Sequence, residues 1–229
     1  MYFGDPTYLL IIPAIILALY AQFRVKGTYA RYSRVMARSG LSGAQAARSL
    51  LNGGGAGDVA VERIEGQLTD NYDPRKKVLH LSGEVYDGTS LASLGIAAHE
   101  CGHALQHQAH YAPLQLRSGF FPVANLGSTL AFPLFLIGLL MSSRGGALLM
   151  DLGILLFCAA VLFSVVTLPV EFNASKRAIT ILRTQGLLDG QEIEGARKVL
   201  SAAALTYVAS TAMAVLQLVR LLMIRGSRD

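Results

Sequence analysis

The run His99-Glu100-Cys101-Gly102-His103 has the pattern H-E-x-x-H and sits inside Ser90–His107, a stretch of helical composition. On a helix, positions i and i+4 share a face, so His99 and His103 can offer both imidazoles to one metal ion. At about 100° per residue, Glu100 lies roughly 80° from the middle of the pair. That is close enough to reach a water on the ion without taking a coordination position. Cys101, at about 180°, is better placed for packing than for ligation. Gly102 leaves a bare flank where another chain or a substrate can pass close. The chemistry is that of zinc: neutral His nitrogens bind Zn²⁺, its water's pKa falls to about 7, and the Glu takes the proton. Random placement of 5 His and 7 Glu in 229 residues yields this pattern in roughly one such chain in 300. The zinc reading is therefore preferred to an amphipathic helix with two packed histidines and a surface Glu.

A catalytic zinc site needs a third protein ligand. A metzincin has His six residues after the second His and Gly midway; Ala109 and Gln106 stand there instead. His107 continues the i+4 series but is angularly nearer Glu100, which suits a cleft wall or a packed helix His better than a ligand. His110 returns to the pair's face about 10 Å beyond His103, too far to share an ion. A di-iron carboxylate site would need a second Glu-x-x-His, and the chain has none. Of the acids beyond His103 (Asp151, Glu171, Asp189, Glu192, Glu194, Asp229), Glu171 stands out because it follows the apolar run Gly146–Val170 directly. It suits a ligand held where lipid gives way to water. An interfacial Glu paired with Lys176 or Arg177 is the ordinary alternative. Glu192 and Glu194, beside Arg197 and Lys198, have the composition of a solvated face.

Several stretches together resemble the YugP-like family of membrane neutral zinc metallopeptidases, which is more distantly similar to HtpX-type and CAAX prenyl proteases. They are Ser39–Arg48, Leu68–Arg75, Leu79–Ser82, Val85-Tyr86, Ala97–Gln106, Pro122–Asn125 and Leu168–Ser175, distributed from Tyr29 to Leu205. The resemblance implies a Glu-zincin in which His99, His103 and Glu171 ligate one Zn²⁺ and Glu100 is the general base. This chain departs from the pattern at two positions. Ser175 stands where HtpX-like relatives place Asp, four residues after the ligand Glu, and Asn71 stands where His is more usual.

Composition describes the surroundings. The chain is 52% apolar and only 15% charged, against about 25% charged in a typical soluble domain. Four stretches account for this: about 8–23, 120–141, 146–170 and 199–224. The middle two are long enough to cross about 30 Å of hydrocarbon. Pro122 and Pro133 should kink the second without ending it. Asp151 lies within a turn of the third segment's start, where it can reach an interface, and that reading is preferred although acids inside spans are functional by default. The first stretch, preceded only by Asp5 and lacking a small-x-small cleavage pattern, reads as an anchor and not a removed signal peptide. In the fourth, Thr206, Ser210, Gln217 and Arg220 form a polar stripe that should look into protein. Spanning is favoured over packing at the membrane surface.

Arg24, Lys26, Arg31, Arg34 and Arg38 crowd the exit of the first segment, and Lys176, Arg177 and Arg183 that of the third. The loop between segments two and three holds only Arg144. Positive-inside logic therefore puts the region 24–118 and the region after Glu171 in the cytoplasm. The chemistry agrees, because His99, His103 and Glu171 can share one side only with an even number of spans between them. One conflict remains: a spanning fourth helix sends Arg225 and Arg228 outward.

The soluble part should begin with a basic helix. A second helix, opened by the capping box Ser42-x-x-Gln45, should run through Leu51. Asn52–Gly57 is a loop and not a phosphate cradle, lacking a Lys-Ser/Thr follow-on. Val59–Gly66 and Val78–Tyr86 read as strands separated by the turn Asp70–Pro74. By analogy with zincins, Val78–Ser82 is the strand expected to pair with substrate. The net charge of +5 calls for anionic lipid at the membrane exits and not for nucleic acid. Cys101 and Cys158 make no disulfide framework.

The expectation is a mainly α, multi-pass integral membrane protein, a single metallopeptidase domain over 1–229 with a small β element in its soluble part. Its partners would be the lipid bilayer and a peptide or membrane-protein substrate. It would act at the cytoplasmic side of the cell membrane, with Glu100 as base at a one-zinc site. Two readings from other classes stand beside it. One is a zinc-bound membrane scaffold without proteolytic activity. The other is a transporter-like bundle, disfavoured because the ionisable residues gather at segment ends.

Overall fold

The computed structural model describes residues 6–227; Asp5, Arg228 and Asp229 lie outside them. A short 3₁₀ turn, Pro6–Ile11, leads into α1 (Ile12–Tyr32) and α2 (Gly43–Gly53). Three strands follow, β1 (Ala60–Ile64), β2 (Asn71–Asp73) and β3 (Val78–Ser82), then the single turn α3 (Gly83–Tyr86). The remaining helices are α4 (Leu91–Gln108), α5 (Ala112–Leu140), α6 (Arg144–Thr184) and α7 (Gly190–Gly226). The described residues are mainly helical, and among them four helical segments are long and apolar enough to cross a membrane: Pro6–Tyr32, Ala112–Leu140, Arg144–Thr184 and Gly190–Gly226.

The chain divides into two compact units, one of residues 6–20, Gln115–Pro169 and 206–227, the other of Ala21–Leu114 and Val170–Leu205. The first unit is built on apolar helix packing. Ala131 and Phe135 of α5 meet Met150, Ile154, Phe157 and Val161 of α6 and Leu221 of α7. Gly153 permits the close approach: a Cβ there would lie 2.7 Å from the Ala131 carbonyl oxygen. Small residues at such crossings are how apolar helices gain van der Waals contact without a hydrophobic driving force between them. Pro122 and Pro133 lie inside α5 and Pro169 inside α6. Leu126, Leu136, Leu148, Leu155 and Leu162 remain exposed. The polar groups are satisfied within this unit. Arg225 Nε lies 2.8 Å from Asp151 Oδ1, and Arg220 donates to the Thr7 hydroxyl and stacks 3.7 Å from the centroid of the Tyr8 ring. Of the expected polar stripe on α7, Ser210 departs. It is exposed, and its hydroxyl bonds back to the Tyr207 carbonyl at 3.0 Å, which satisfies it within its own helix.

The second unit has a core of Leu50, Leu51, Leu79, Leu81, Leu94, Leu182, Leu188 and Ile193. α2 opens at the expected capping box: the Ser42 hydroxyl accepts from Gln45 N, and the Gln45 side chain accepts from Ser42 N. Its buried positions, Gly43, Ala44, Ala46, Ala47, Leu50 and Leu51, follow the helical period. The basic helix expected at the start of this region is no separate element. It is the continuation of α1, because nothing between Phe23 and Tyr32 breaks the helical pattern.

The sheet has the order β1-β3-β2, with β1 parallel and β2 antiparallel to β3. This corrects two strand expectations. Asn71–Asp73, read as a turn, is a strand, and the reversal falls at the following residues. The strand expected to reach Tyr86 ends at Ser82, which starts a helical turn. A third correction concerns substrate pairing. β3 pairs along Val78–Ser82 with β1 and along Val78–His80 with β2. The Ser82 N–H is taken by Asp70 Oδ1 at 2.8 Å. The central strand therefore has no free edge for a substrate backbone, and the outer edges belong to β1 and β2. Asn71 faces His80 across the sheet, its Oδ1 3.1 Å from His80 Nδ1.

Candidate metal centre

α4 starts cleanly because the Ser90 hydroxyl accepts from the Ser93 N–H at 3.1 Å, satisfying one of the helix's unpaired donors. Leu91, Leu94, Ala98, Cys101 and Leu105 recur at helical spacing and are buried in the core, which fixes the rotation of the helix. His99 and His103 then face α6. Their rings meet edge to face, with centroids 4.8 Å apart. Cys101 points the other way: its Sγ lies against the Ala47 carbonyl, and burial pushes its thiol well above the ordinary range. It packs, as its angular position implies.

The bare flank at Gly102 is used by α6. A Cβ on Gly102 would lie 2.5 Å from the Ala174 carbonyl oxygen, so α6 crosses α4 where α4 has no side chain. Val170, Glu171, Ala174, Ala178 and Leu182 form the buried face of this part of α6. Through that crossing Glu171 reaches the histidines: its Oε2 lies 3.3 Å from His99 Nε2 and 3.5 Å from His103 Nε2. The ligating atoms of His99, His103 and Glu171 all lie within 4.8 Å of one another. Glu171 is only 2% exposed. Glu100, the residue between the two ligand candidates, is buried at 8% exposure.

The donor set fits a zinc ion. Two imidazole nitrogens and one carboxylate oxygen leave a fourth tetrahedral position open, the arrangement of catalytic zinc sites. A carboxylate buried against two imidazoles is costly without a compensating cation, and an ion among the three groups supplies it.

The far nitrogens of both rings are engaged. Ser175 Oγ lies 3.1 Å from His99 Nδ1, and Gln106 Oε1 lies 3.0 Å from His103 Nδ1. Gln106 is fully buried; its Nε2 donates to the Val170 carbonyl (2.8 Å) and to Asn173 Oδ1 (3.0 Å). Arg177 Nε donates to the same Asn173 Oδ1 at 2.8 Å and sits 6.0 Å from the Tyr111 ring centroid. Glu171 thus contacts both histidines, while the Nε of Arg177, one of the alternative partners, is given to Asn173.

The other candidates fall elsewhere. His107 turns its Nδ1 to the Tyr72 hydroxyl at 2.9 Å. Both line a cleft of about 550 Å³ with Asp58, Lys77, Gln108 and His110. Glu192 accepts from the Arg38 backbone N–H at 2.7 Å, and Glu194 pairs with Arg197 at 3.3 Å. Sequence reasoning missed Gln106 and Tyr72. The one available signal for Gln106 was its position three residues after His103 on the same helix.

Fold and site together define a helical protein with membrane-compatible segments and a His-His-Glu cluster, its Glu buried and its histidines partly exposed, suited to a metal. Residues 7–226 match the family model described as "Putative neutral zinc metallopeptidase", and the chain belongs to that family. It is 49% identical over 215 residues to the "Putative membrane protease YugP" of Bacillus subtilis (strain 168), covering 94% of each chain. No solved structure matches it.

Proposed function

We propose that this chain is a membrane-embedded zinc metalloendopeptidase with Glu100 as general base and His99, His103 and Glu171 as ligands of one Zn²⁺. The observation that carries the reading is the convergence of Glu171 Oε2 on both imidazole Nε2 atoms, 3.3 and 3.5 Å away. Family membership and the relative's name support peptide-bond hydrolysis as the reaction. Zinc, when bound, supplies Lewis acidity: it polarises a carbonyl and brings water's pKa to about 7. The chain does the rest. Glu100, beside the first ligand but not a ligand itself, accepts the proton of the attacking water and later delivers it to the departing amine. Its burial keeps the carboxylate out of bulk water, where competing hydration would blunt its basicity. Ser175 and Gln106 hold the two imidazoles in place from behind.

The four long apolar helices support a place in the membrane. Positive-inside logic supports a site on the cytoplasmic side. The test is a comparison of purified wild type with Glu100→Gln on peptide and membrane-protein substrates. The variant should retain zinc and lose hydrolysis by about 10²–10⁴-fold, the usual weight of a general base. Equal turnover by the two proteins refutes the mechanism. Stoichiometric zinc without any wild-type hydrolysis points instead to the scaffold reading.

A further inference from the structure

The hydrogen bonds behind His103 have only one consistent set of directions. Arg177 has donors only, so its Nε–H donates to Asn173, and the atom 2.8 Å away is the Asn173 oxygen. The Val170 carbonyl is an acceptor only, so the Gln106 atom 2.8 Å from it is the amide nitrogen. The same nitrogen lies 3.0 Å from Asn173 Oδ1 and donates there too. Flipping Gln106 would set its oxygen against two other acceptors. Flipping Asn173 would set its NH₂ against the Arg177 N–H. Neither flip is tolerable in a site where Gln106 has no access to water. The Gln106 oxygen is therefore what faces His103 Nδ1 at 3.0 Å, and an oxygen there can only accept. Nδ1 must carry the proton.

We propose that Gln106 is a positioning residue which, oriented by Val170, Asn173 and Arg177, holds a proton of His103 on Nδ1 and so leaves Nε2 as the nitrogen presented to the metal. The inference rests on the reading of His99, His103 and Glu171 as a zinc site. His99 differs. Its Nδ1 meets the Ser175 hydroxyl, which can donate or accept, so nothing in that contact fixes the tautomer. His103 is prepared before the ion arrives, whereas His99 adjusts to it. Both supports are uncharged, so the ligands are oriented without added negative charge behind them.

The test measures zinc affinity by competition with a chromophoric chelator on the detergent-purified full chain, with thermal unfolding of the metal-free proteins as the folding control. Wild type must first bind one zinc; if it does not, the site reading itself fails. Given that, Gln106→Met keeps the length and removes both hydrogen-bonding ends, and should weaken zinc about 10–100-fold. Asn173→Leu removes one of the two acceptors that orient the Gln106 amide and leaves only the Val170 carbonyl, so it should weaken zinc by a smaller factor than Gln106→Met. Asn173→Asp retains an acceptor for both Arg177 and Gln106 and should bind at least as tightly as wild type. Histidine ¹⁵N shifts in the metal-free protein, assigned with His103→Ala, should show Nδ1 of His103 protonated in wild type and Asn173→Asp, and less so in Gln106→Met. Wild-type zinc affinity in folded Gln106→Met overturns the proposal. So does equal weakening by Asn173→Asp and Asn173→Leu, which would trace the loss to shape and not to hydrogen-bond direction.

Discussion

The hydroxyl of Ser175 lies 3.1 Å from Nδ1 of His99, one turn beyond Glu171 on the same helix. The resemblance to HtpX-type proteases implies Asp at this position; Ser175 makes its contact with His99 without a charge. Supports of this kind are typically worth 10–100-fold in metal affinity or activity. Ser175→Ala should lower zinc affinity about 10-fold, the lower end of that range for an uncharged partner. Ser175→Asp should raise it, because a carboxylate behind the ring increases the basicity of Nε2. Chelator competition on the three proteins checks both directions, and unchanged binding in Ser175→Ala would mean that the hydroxyl orients nothing.

Glu171 should prove indispensable for metal retention among the acids that follow His103. Glu171→Ala removes the one carboxylate facing both imidazoles and should strip zinc during mild chelation. Glu192→Ala and Glu194→Ala should retain it, because those side chains serve the Arg38 backbone and Arg197. Metal content by mass spectrometry after a fixed chelator exposure reads the difference. Retention by Glu171→Ala would move the third ligand elsewhere.

Gly102 should tolerate no side chain. Alanine gains about 1 kcal/mol of helix propensity over glycine, but its Cβ would sit 2.5 Å from the Ala174 carbonyl oxygen. That oxygen belongs to backbone and cannot swing away, and overpacking of this kind costs about 1–3 kcal/mol. The clash wins on these magnitudes, most clearly for Gly102→Val. Both variants should unfold at lower temperature than wild type and lose zinc more readily, because the displaced helix carries Glu171. A Gly102→Ala protein more stable than wild type would show that α6 is free to move off α4.

How much of this was readable in advance follows from where the information lies. That His99 and His103 share a face was legible because i and i+4 are local, and Glu171 stood out because it ends a long apolar run. β2 was not, since Asp70-Asn-Tyr-Asp-Pro74 has turn composition. It is a strand only because β3 offers an antiparallel edge and Tyr72 packs toward His107. Gln106 was legible as a helix residue but not as a support for His103. Its orientation depends on Val170 and Asn173, 64 and 67 residues away in sequence. The free edges of the sheet were misjudged for a related reason: strand order is a tertiary property, and the most apolar strand is the central one.

Asp70 should leave an acid-side signature. Burial pushes its carboxyl above the ordinary range, against the opposing hydrogen bonds from the Ser82 N–H and hydroxyl. A raised folded-state value means that the unfolded chain releases its proton first. The group's contribution to stability therefore declines as pH rises from about 3.9, its unfolded value, through the raised folded value. Asp70→Asn keeps an acceptor for Ser82 and removes the titration. The difference in melting temperature, wild type minus Asp70→Asn, should fall across that window and level off above it. A difference that rises with pH would reverse the sign of the shift.

The last prediction joins the membrane reading to the chemistry. Ser143 directly precedes the helix Arg144–Thr184 and Lys176 lies within it, about 50 Å further along at 1.5 Å per residue. That exceeds the roughly 30 Å of a hydrocarbon core, so a spanning α6 puts them on opposite sides. The cation bias then sets the direction: Arg144 alone marks the first end, while Lys176, Arg177 and Arg183 mark the second. A spanning α7 carries Arg225 outward against this bias, but Arg225 goes as an ion pair with Asp151, 2.8 Å away. Single cysteines in a Cys101→Ser, Cys158→Ser background can decide the matter in intact cells. Ser39, Ser143 and Lys176 are the sites to use, because all three are exposed whereas Ser82 is buried. A membrane-impermeant reagent should label Ser143→Cys directly, and Ser39→Cys and Lys176→Cys only after the cells are opened. Labelling of Ser39 and Lys176 from outside, with Ser143 protected, inverts the protein and places its substrates outside the cell. Labelling of Ser143 and Lys176 from one side means that α6 does not span. The return of Glu171 to the side that carries the zinc helix would then need another route.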